Sequence, residues 1–425
     1  MKINKVSKLN GTITVPADKS ITHRSIMLSS IAEGKSYVNN YLKSDDCLMT
    51  MNAFKQMGVN IEQKDGSLII DGVGINGLKD PVKEIYAGNS GTTTRLLSGV
   101  LAGQKFSSTI TGDESLSKRP MKRVIAPLSL MGADIKARDN NFLPMTINTN
   151  GNLKAIDYVS PVASAQVKSC ILFAGLYVDG VTTVTEPIKS RDHSEKMFKT
   201  FGADISVDGL KVSIKHCDKL YAQEVTVPCD ISSAAFFIVA GLIVPNSNIK
   251  ILNVNINKTR DGILTVLKNM GAYIVLDNVR TVSGEDVADI EIKSSKLNST
   301  SFGKEIVPSL IDEIPIIVLA ATQAEGKTVI SGAKELKVKE SDRIHSVASQ
   351  LNKMGADIQE TDDGFIINGP TKLNGATVDS FDDHRIAMML SVAGLIAEGQ
   401  TEILKSDCVK ISFANFYEVL EKICK

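Results

Sequence analysis

The chain repeats itself, and the repeat limits what it can fold into. A string resembling Met-Gly-Ala-Asp-Ile recurs at Met57 to Ile61, Met131 to Ile135, Phe201 to Ile205, Met270 to Ile274 and Met354 to Ile358. Between these strings runs a second series, in which a polar cluster precedes an apolar stretch. Its six members are Asp18-Lys19-Ser20, Asn89-Ser90-Gly91-Thr92, Ser164-Ala165-Gln166, Asp230-Ile231-Ser232, Asp312-Glu313 and Asp383-His384-Arg385. A period of roughly 70 residues is longer than the helix-pair solenoids, so each unit is expected to be a mixed α/β packing module. At 425 residues the chain exceeds one ordinary core, and six modules divide into two domains of three.

One repeat can be read residue by residue. Ser44-Asp45-Asp46 offers N-cap oxygens, Leu48, Met51, Phe54 and Met57 follow at helical spacing, and Gly58 ends the helix. Val59 to Gln63 and Leu68 to Ile70 flank the Asp65-Gly66 turn as a hairpin. Ile85 to Ala87 then enters a Gly-Asn-Ser-Gly turn, and Thr92 to Ala102 continues as an apolar helix closed by Gly103. Met121 to Met131, Ser194 to Phe201, Gly262 to Met270 and Arg343 to Met354 repeat the first helix, and Phe413 to Ile423 repeats it a sixth time without following strands. Ile3 to Val15 is expected to supply those strands. That places crossovers near Val15-Pro16 and Val227-Pro228, with a discontinuous domain of residues 1–15 and 229–425, an inserted domain of residues 16–228, and a hinge at the paired crossovers.

Lys plus Arg equals Asp plus Glu at 48 each, so no global field draws the chain to nucleic acid or to an anionic membrane. The start, Met1 to Val6, has no apolar leader segment, and the longest apolar run, Ala234 to Val244, falls short of the roughly 20 residues a membrane span needs. A cytoplasmic monomer is expected. The six cysteines form no CxxC, which argues against a zinc site or a disulfide framework, and no metal is expected.

The chemistry is expected where the second series starts its helices, because a helix N-terminus offers unpaired N–H groups and a partial positive charge to an anion. Lys19, Ser20 and Arg24 load one such start with an ammonium, a hydroxyl and a guanidinium. Asn89 to Thr93, with Gly91 allowing close approach and Arg95 following, loads a second. Ser164 and Gln166 with Lys168, and His384-Arg385, repeat the idea, while loops add Arg119, Arg191 and the run Lys339-Glu340-Ser341-Asp342-Arg343. Any one of these could be a cap or a wet surface; four loaded starts favour a binding surface. Lys339 and Arg343 share a helix face if a helix begins there. Asp312 reads equally as a helix cap or as a proton acceptor among cations.

The strings Asp18 to Arg24, Gly88 to Arg95, Ser117 to Met121, Val338 to Arg343 and Asp382 to Arg385, met in that order from Val15 to about Leu420, resemble those of the 5-enolpyruvylshikimate-3-phosphate (EPSP) synthase family. The resemblance implies a two-domain enolpyruvyltransferase fold of six βαβαββ-like repeats, three per domain, with helix N-termini facing an interdomain cleft. It also implies transfer of the enolpyruvyl group of phosphoenolpyruvate to the 5-hydroxyl of shikimate 3-phosphate, with release of phosphate and without cofactor. Lys19, Ser20, Arg24, Ser164, Gln166, Arg191, Asp312 and Lys339 would hold shikimate 3-phosphate. Lys19, the Gly91 backbone, Arg119, Gln166, Arg343 and Arg385 would hold phosphoenolpyruvate. Asp312, Glu340 and Lys19 would move protons.

Ala17, Ala165, Ile411 and Ala414 depart from common family residues; Lys410, beside Ile411, is left out of the expected site. Ser164 to Lys168, Arg191 to Glu195 and Asn257 to Arg260 resemble the branch of the family tolerant of the inhibitor glyphosate, while Gly91 resembles the sensitive enzymes. Two alternatives imply other residues. A sister enolpyruvyltransferase acting on UDP-N-acetylglucosamine would carry a cysteine in the loop Gly112 to Met121, which has none, and a nucleic-acid-binding repeat scaffold would carry a basic excess.

Overall fold

A computed structural model describes residues 1–149 and 152–424. The chain forms two compact units, one of Ala17–Val227 with Val282–Glu285, the other of Met1–Pro16, Pro228–Thr281 and Asp286–Lys425. Within the second unit, the Asp230 N–H donates to the Pro16 carbonyl at 2.8 Å, so the points where the chain leaves and returns lie side by side.

The inserted unit holds α1 (Lys19–Ile31), α2 (Asp45–Gln56), α3 (Gly91–Ala102), α4 (Lys122–Leu130), α5 (Ala165–Gly175) and α6 (His193–Thr200). Its three sheets have four strands each. In the second, Ile85–Tyr86 runs parallel to Ser108–Thr111, which pairs antiparallel with Phe142–Asn148, itself paired with Asp134–Arg138. With α3 and α4 between the strands, the order is strand, helix, strand, helix, hairpin. The third sheet repeats it with Asp157–Val159, Val181–Thr185, Ile205–Asp208 and Lys211–Lys215. The first sheet takes its parallel strand from far along the chain: Glu224–Thr226 lies beside Glu33–Asn39, Val225 opposite Val38.

The other unit holds α7 (Ile231–Ile243), α8 (Gly262–Asn269), α9 (Ile314–Thr322), α10 (Arg343–Lys353), α11 (His384–Gly394) and α12 (Phe416–Ile423). The N-terminal segment divides its labour differently from the expectation. Only Lys2–Asn4 joins the sixth sheet, antiparallel to Gln400–Leu404, so that sheet has three strands. Asn10–Ile13 instead lies parallel to Asn248–Asn255 in the fourth sheet. A parallel neighbour needs no tight turn, so a segment distant in sequence can supply it. The last helix also starts later than Phe413, because Phe413 is drawn into a buried aromatic group with Phe237 and Phe416, at centroid distances of 5.8 and 5.5 Å.

Two helix types explain the alternation in the sequence. The second-series helices α1, α3, α5, α7, α9 and α11 are buried along most of their length. α7 and α9 are apolar on nearly every side, as a buried helix usually is, whereas α1 also buries Thr22, His23, Arg24, Ser25, Ser29 and Ser30. The repeated Met-Gly string ends five of the others. Met57, Met131, Phe201, Met270 and Met354 are C-caps with no exposed surface, and each following glycine takes a positive φ, from +88° at Gly271 to +102° at Gly132, which a side chain would strain.

Candidate active site

In the inserted unit Asp18 caps α1, its carboxylate accepting from the Ile21 amide at 2.9 Å, and so leaves Lys19 and Ser20 on the first turn. Lys19 does not stand alone: its ammonium lies 3.1 Å from the Asp46 carboxylate on the first turn of α2. Arg24, one turn on, is buried, with Nε on the Ser194 hydroxyl at 2.7 Å, Nη1 on the Ser20 carbonyl at 2.9 Å and Nη2 on the Ser169 hydroxyl at 2.8 Å. Burial pulls its pKa down to about 10, with Glu195 opposing and Arg191 adding to the fall. Arg191, just before α6, reaches the Ser20 hydroxyl at 3.5 Å. The structure thus brings Lys19, Ser20, Arg24 and Arg191 together.

A second group forms at the start of α3. Arg119 donates to Asn89 Oδ1 at 2.7 Å, and Asn89 donates to Asp113 at 2.8 Å. Gln166, on the first turn of α5, accepts from Arg95 at 2.7 Å and donates to the Thr92 hydroxyl at 3.1 Å. Ser164 caps α5, accepting from the Val167 amide at 3.4 Å. A Cβ on Gly91 would lie 3.1 Å from Arg95 Nη1 and 3.7 Å from Arg119 Nη1, so two guanidiniums stand beside a helix-start residue that has no side chain of its own.

In the other unit the site is a knot of charge around Arg343, whose side chain is 1% exposed. Nε meets the Asp383 carboxylate at 2.8 Å, Nη2 meets Glu340 at 2.6 Å, and Nη1 lies 3.4 Å from Asp312. Asp312 also faces the Lys339 ammonium at 3.5 Å and Arg385 Nη2 at 4.0 Å. Three cations around one carboxylate is more than a cap requires, and the N-cap of α9 is Glu313, not Asp312. Lys339 and Arg343 meet at Asp312 without sharing a helix face: α10 begins at Arg343, and Lys339 ends the short 3-10 turn Lys334–Val338. Burial alone would weaken Arg343 as a base, but Asp383 and Glu340 outweigh it and hold the guanidinium firmly protonated.

Two lysines leave the picture. Lys168 is 1% exposed and clamped between Glu186 and Glu195, both at 2.7 Å, so it is an internal counter-charge, not an anion receptor. Burial raises the Glu195 pKa, with Lys168 opposing the rise. Lys410 pairs at the surface with Asp407 at 3.0 Å. Asn89 and Arg95, read as parts of the second loaded start, meet Arg119 and Gln166 there, while Asp46, Ser169, Ser194 and Asp383 enter as partners that sequence spacing did not single out. Asp46 and Asp383 carried only the signal of helix-start polar residues, and nothing local says which distant cation each will meet.

Behind the α1 start, His23 is fully buried, its Nδ1 2.7 Å from the Thr50 hydroxyl. Burial holds its pKa down to about 3; Asp46 opposes the fall, and Lys19 and Arg24 add to it. Below the ordinary histidine pKa of about 6.5 the unfolded chain binds a proton that the folded chain refuses, so stability declines as pH falls from there toward 3. His23→Asn removes this liability. The thermal-midpoint advantage of the parent over the variant is expected to shrink by roughly 2–4 °C between pH 7.5 and 5.5. A pH-independent gap contradicts a buried neutral imidazole.

The family described as EPSP synthase (3-phosphoshikimate 1-carboxyvinyltransferase) matches residues 3–420. A 3-phosphoshikimate 1-carboxyvinyltransferase of Endomicrobium trichonymphae is 59% identical over 430 residues, covering 100% of both chains. One from Thermoanaerobacter sp. strain X514 is 53% identical over 423 residues, again covering 100% of both. Among solved structures, EPSP synthase from Acinetobacter baumannii aligns with a TM-score of 0.89 at 46% identity, over 100% of this chain and 98% of that one. The enolpyruvyl transferase NikO from Streptomyces tendae aligns at 0.80 with 17% identity, over 99% and 96%, a likeness of fold.

Proposed function

The chain belongs to the EPSP synthase family, and from that membership we propose which of its residues hold and convert the two substrates. The reaction is transfer of the enolpyruvyl group of phosphoenolpyruvate to shikimate 3-phosphate, in the shikimate pathway to aromatic amino acids. The nucleotide-sugar and scaffold alternatives give way to full-length relatives carrying the phosphoshikimate name.

In this proposal Ser20, Arg24, Ser164, Gln166, Arg191 and Lys339 hold shikimate 3-phosphate, and Lys19 serves both ligands. Gly91, Arg119, Gln166, Arg343 and Arg385 hold phosphoenolpyruvate, the guanidinium forks suiting its carboxylate and phosphate. Asp312 takes the proton of the 5-hydroxyl, whose oxygen attacks C2 of phosphoenolpyruvate. Glu340 and Lys19 are the groups proposed to deliver a proton to the methylene carbon as C2 gains cationic character, and to remove one as phosphate leaves. The departing proton balances the arriving one, so one acid/base set serves both halves. The observation that carries this reading is the Asp312 carboxylate held among Lys339, Arg343 and Arg385. Phosphate release that requires both substrates together tests it; release from phosphoenolpyruvate alone, or none, defeats it. The same proposal takes the protein to act as a cytoplasmic monomer, its oligomeric state checked by sedimentation equilibrium.

Glyphosate competes with phosphoenolpyruvate in this family and is the longer molecule. With Arg95 and Arg119 already close over Gly91, little clearance remains for added length. The inhibition constant for glyphosate is therefore expected to exceed the KM for phosphoenolpyruvate, and competitive inhibition at concentrations well below that KM overturns the expectation.

A further inference from the structure

Thr93, on the first turn of α3, is the hub of a buried polar chain. Its Oγ1 lies 2.7 Å from Thr50 Oγ1, 2.7 Å from Ser90 Oγ and 3.2 Å from the Asp46 carbonyl oxygen. Thr50 Oγ1 in turn lies 2.7 Å from His23 Nδ1, and Ser90 Oγ accepts the Thr93 amide at 3.1 Å. His23, Thr50, Ser90 and Thr93 have no exposed surface.

A hydroxyl donates once and accepts twice, and a carbonyl only accepts. Thr93 Oγ1 donates its one proton toward Ser90 Oγ and the Asp46 carbonyl, so between Thr50 and Thr93 the Thr50 hydroxyl is the donor. Thr50 then accepts from His23 Nδ1 in the tautomer that carries its proton there, and Nε2 is left without a partner among the described residues. The bonds link α1, through Thr50 of α2, to Thr93 at the start of α3.

We propose that Thr93 is a positioning residue for phosphoenolpyruvate, fixing the α3 start that carries Asn89, Ser90 and Gly91 against α1 and α2. The proposal rests on the ligand assignment above. Asp46 ties the arrangement together twice, its carbonyl accepting from Thr93 and its carboxylate pairing with Lys19 at 3.1 Å. The Ser20, Arg24 and Arg191 group is held separately, through Ser169 and Ser194. Disturbing the hub therefore acts on one substrate more than the other.

Thr93→Val keeps the branched shape and removes the hydroxyl. The KM for phosphoenolpyruvate is expected to rise about tenfold while that for shikimate 3-phosphate stays within about twofold, and Thr93→Ser is expected to restore the parent value. Thr50→Val breaks the same chain from α2, at a residue to which no ligand contact is assigned, and is expected to shift the phosphoenolpyruvate KM in the same direction by about threefold. A merely structural threonine would lower the thermal midpoint with both KM values unmoved. Folded valine variants with an unchanged phosphoenolpyruvate KM, or with both KM values raised equally, overturn the proposal. If Thr93→Val does not fold, Thr50→Val decides. Failure of the ligand reading itself shows separately, as an unmodified protein that releases no phosphate with both substrates present.

Discussion

Replacing Asp312 by asparagine is expected to lower kcat by about 10²–10⁴-fold while the KM for shikimate 3-phosphate stays within about threefold. Asparagine preserves the shape of the side chain and keeps one oxygen toward Lys339 and Arg343, which lie 3.5 and 3.4 Å from the carboxylate. What it loses is the capacity to accept a proton from the attacking hydroxyl. The competing account makes Asp312 a counter-charge that keeps three cations from repelling one another. On that account the neutral variant, with more uncompensated positive charge, would bind its anionic substrates more tightly and turn over almost normally. Steady-state kinetics with each substrate varied separates the two, and a lowered KM with near-parent kcat refutes the catalytic assignment. Since α9 takes its N-cap from Glu313, loss of a cap does not confuse the result.

Asp383→Asn is expected to be the most damaging single change to stability in the same unit. Asp383 is 0% exposed and Arg343 1%, and their 2.8 Å contact is the closest pairing Arg343 makes with a fully buried carboxylate. Breaking a buried pair by removing one partner costs about 3–5 kcal/mol, a fall of roughly 6–20 °C in the midpoint of a unit this size; Glu340 and Asp312, both partly exposed, remain to Arg343 and set the expectation at the lower end. Asp383 also caps α11 through the Arg385 amide at 2.9 Å, but asparagine caps equally well, so the loss reports the charge. Burial pushes the Asp383 pKa up, yet Arg343 overrides it and the net displacement is downward. Its stabilisation is therefore present above the ordinary carboxylate pKa of about 4 and lost as pH falls through the lower folded value. Parent and variant should converge in strong acid. A midpoint loss of less than a few degrees at pH 7, measured by calorimetry, would falsify this account of the knot.

These two aspartates also show how far sequence reasoning reaches. The six modules, their helix ends and the cationic starts were legible because each depends on local rules: a glycine at positive φ, a cap residue, an apolar period. Asp312 was legible as an acid among bases but not as something other than a cap, since that distinction rests on where Lys339 and Arg385 fold back to. Asp383 and Asp46 looked like ordinary helix-start residues, and only tertiary packing gives them Arg343 and Lys19. Lys168 failed in the opposite sense. Its place on a loaded helix start suggested an anion receptor, but Glu186 and Glu195, brought by other elements, enclose it. The N-terminal strands were anticipated as a pair for one sheet and serve two, because strand pairing carries little information about the partner when the partners are far apart in sequence.

That division of the N-terminal segment has a consequence for synthesis. Lys2–Asn4 pairs with Gln400–Leu404, and Asn10–Ile13 with Asn248–Asn255. At roughly 5–20 residues per second, a ribosome needs on the order of 20–80 s between delivering the first of these strands and delivering its partner. During that interval the inserted unit can emerge and fold, whereas the opening residues of the chain must wait with an unpaired edge. The nascent protein is thus committed to finishing its middle first, and its earliest residues are among the last to find their place.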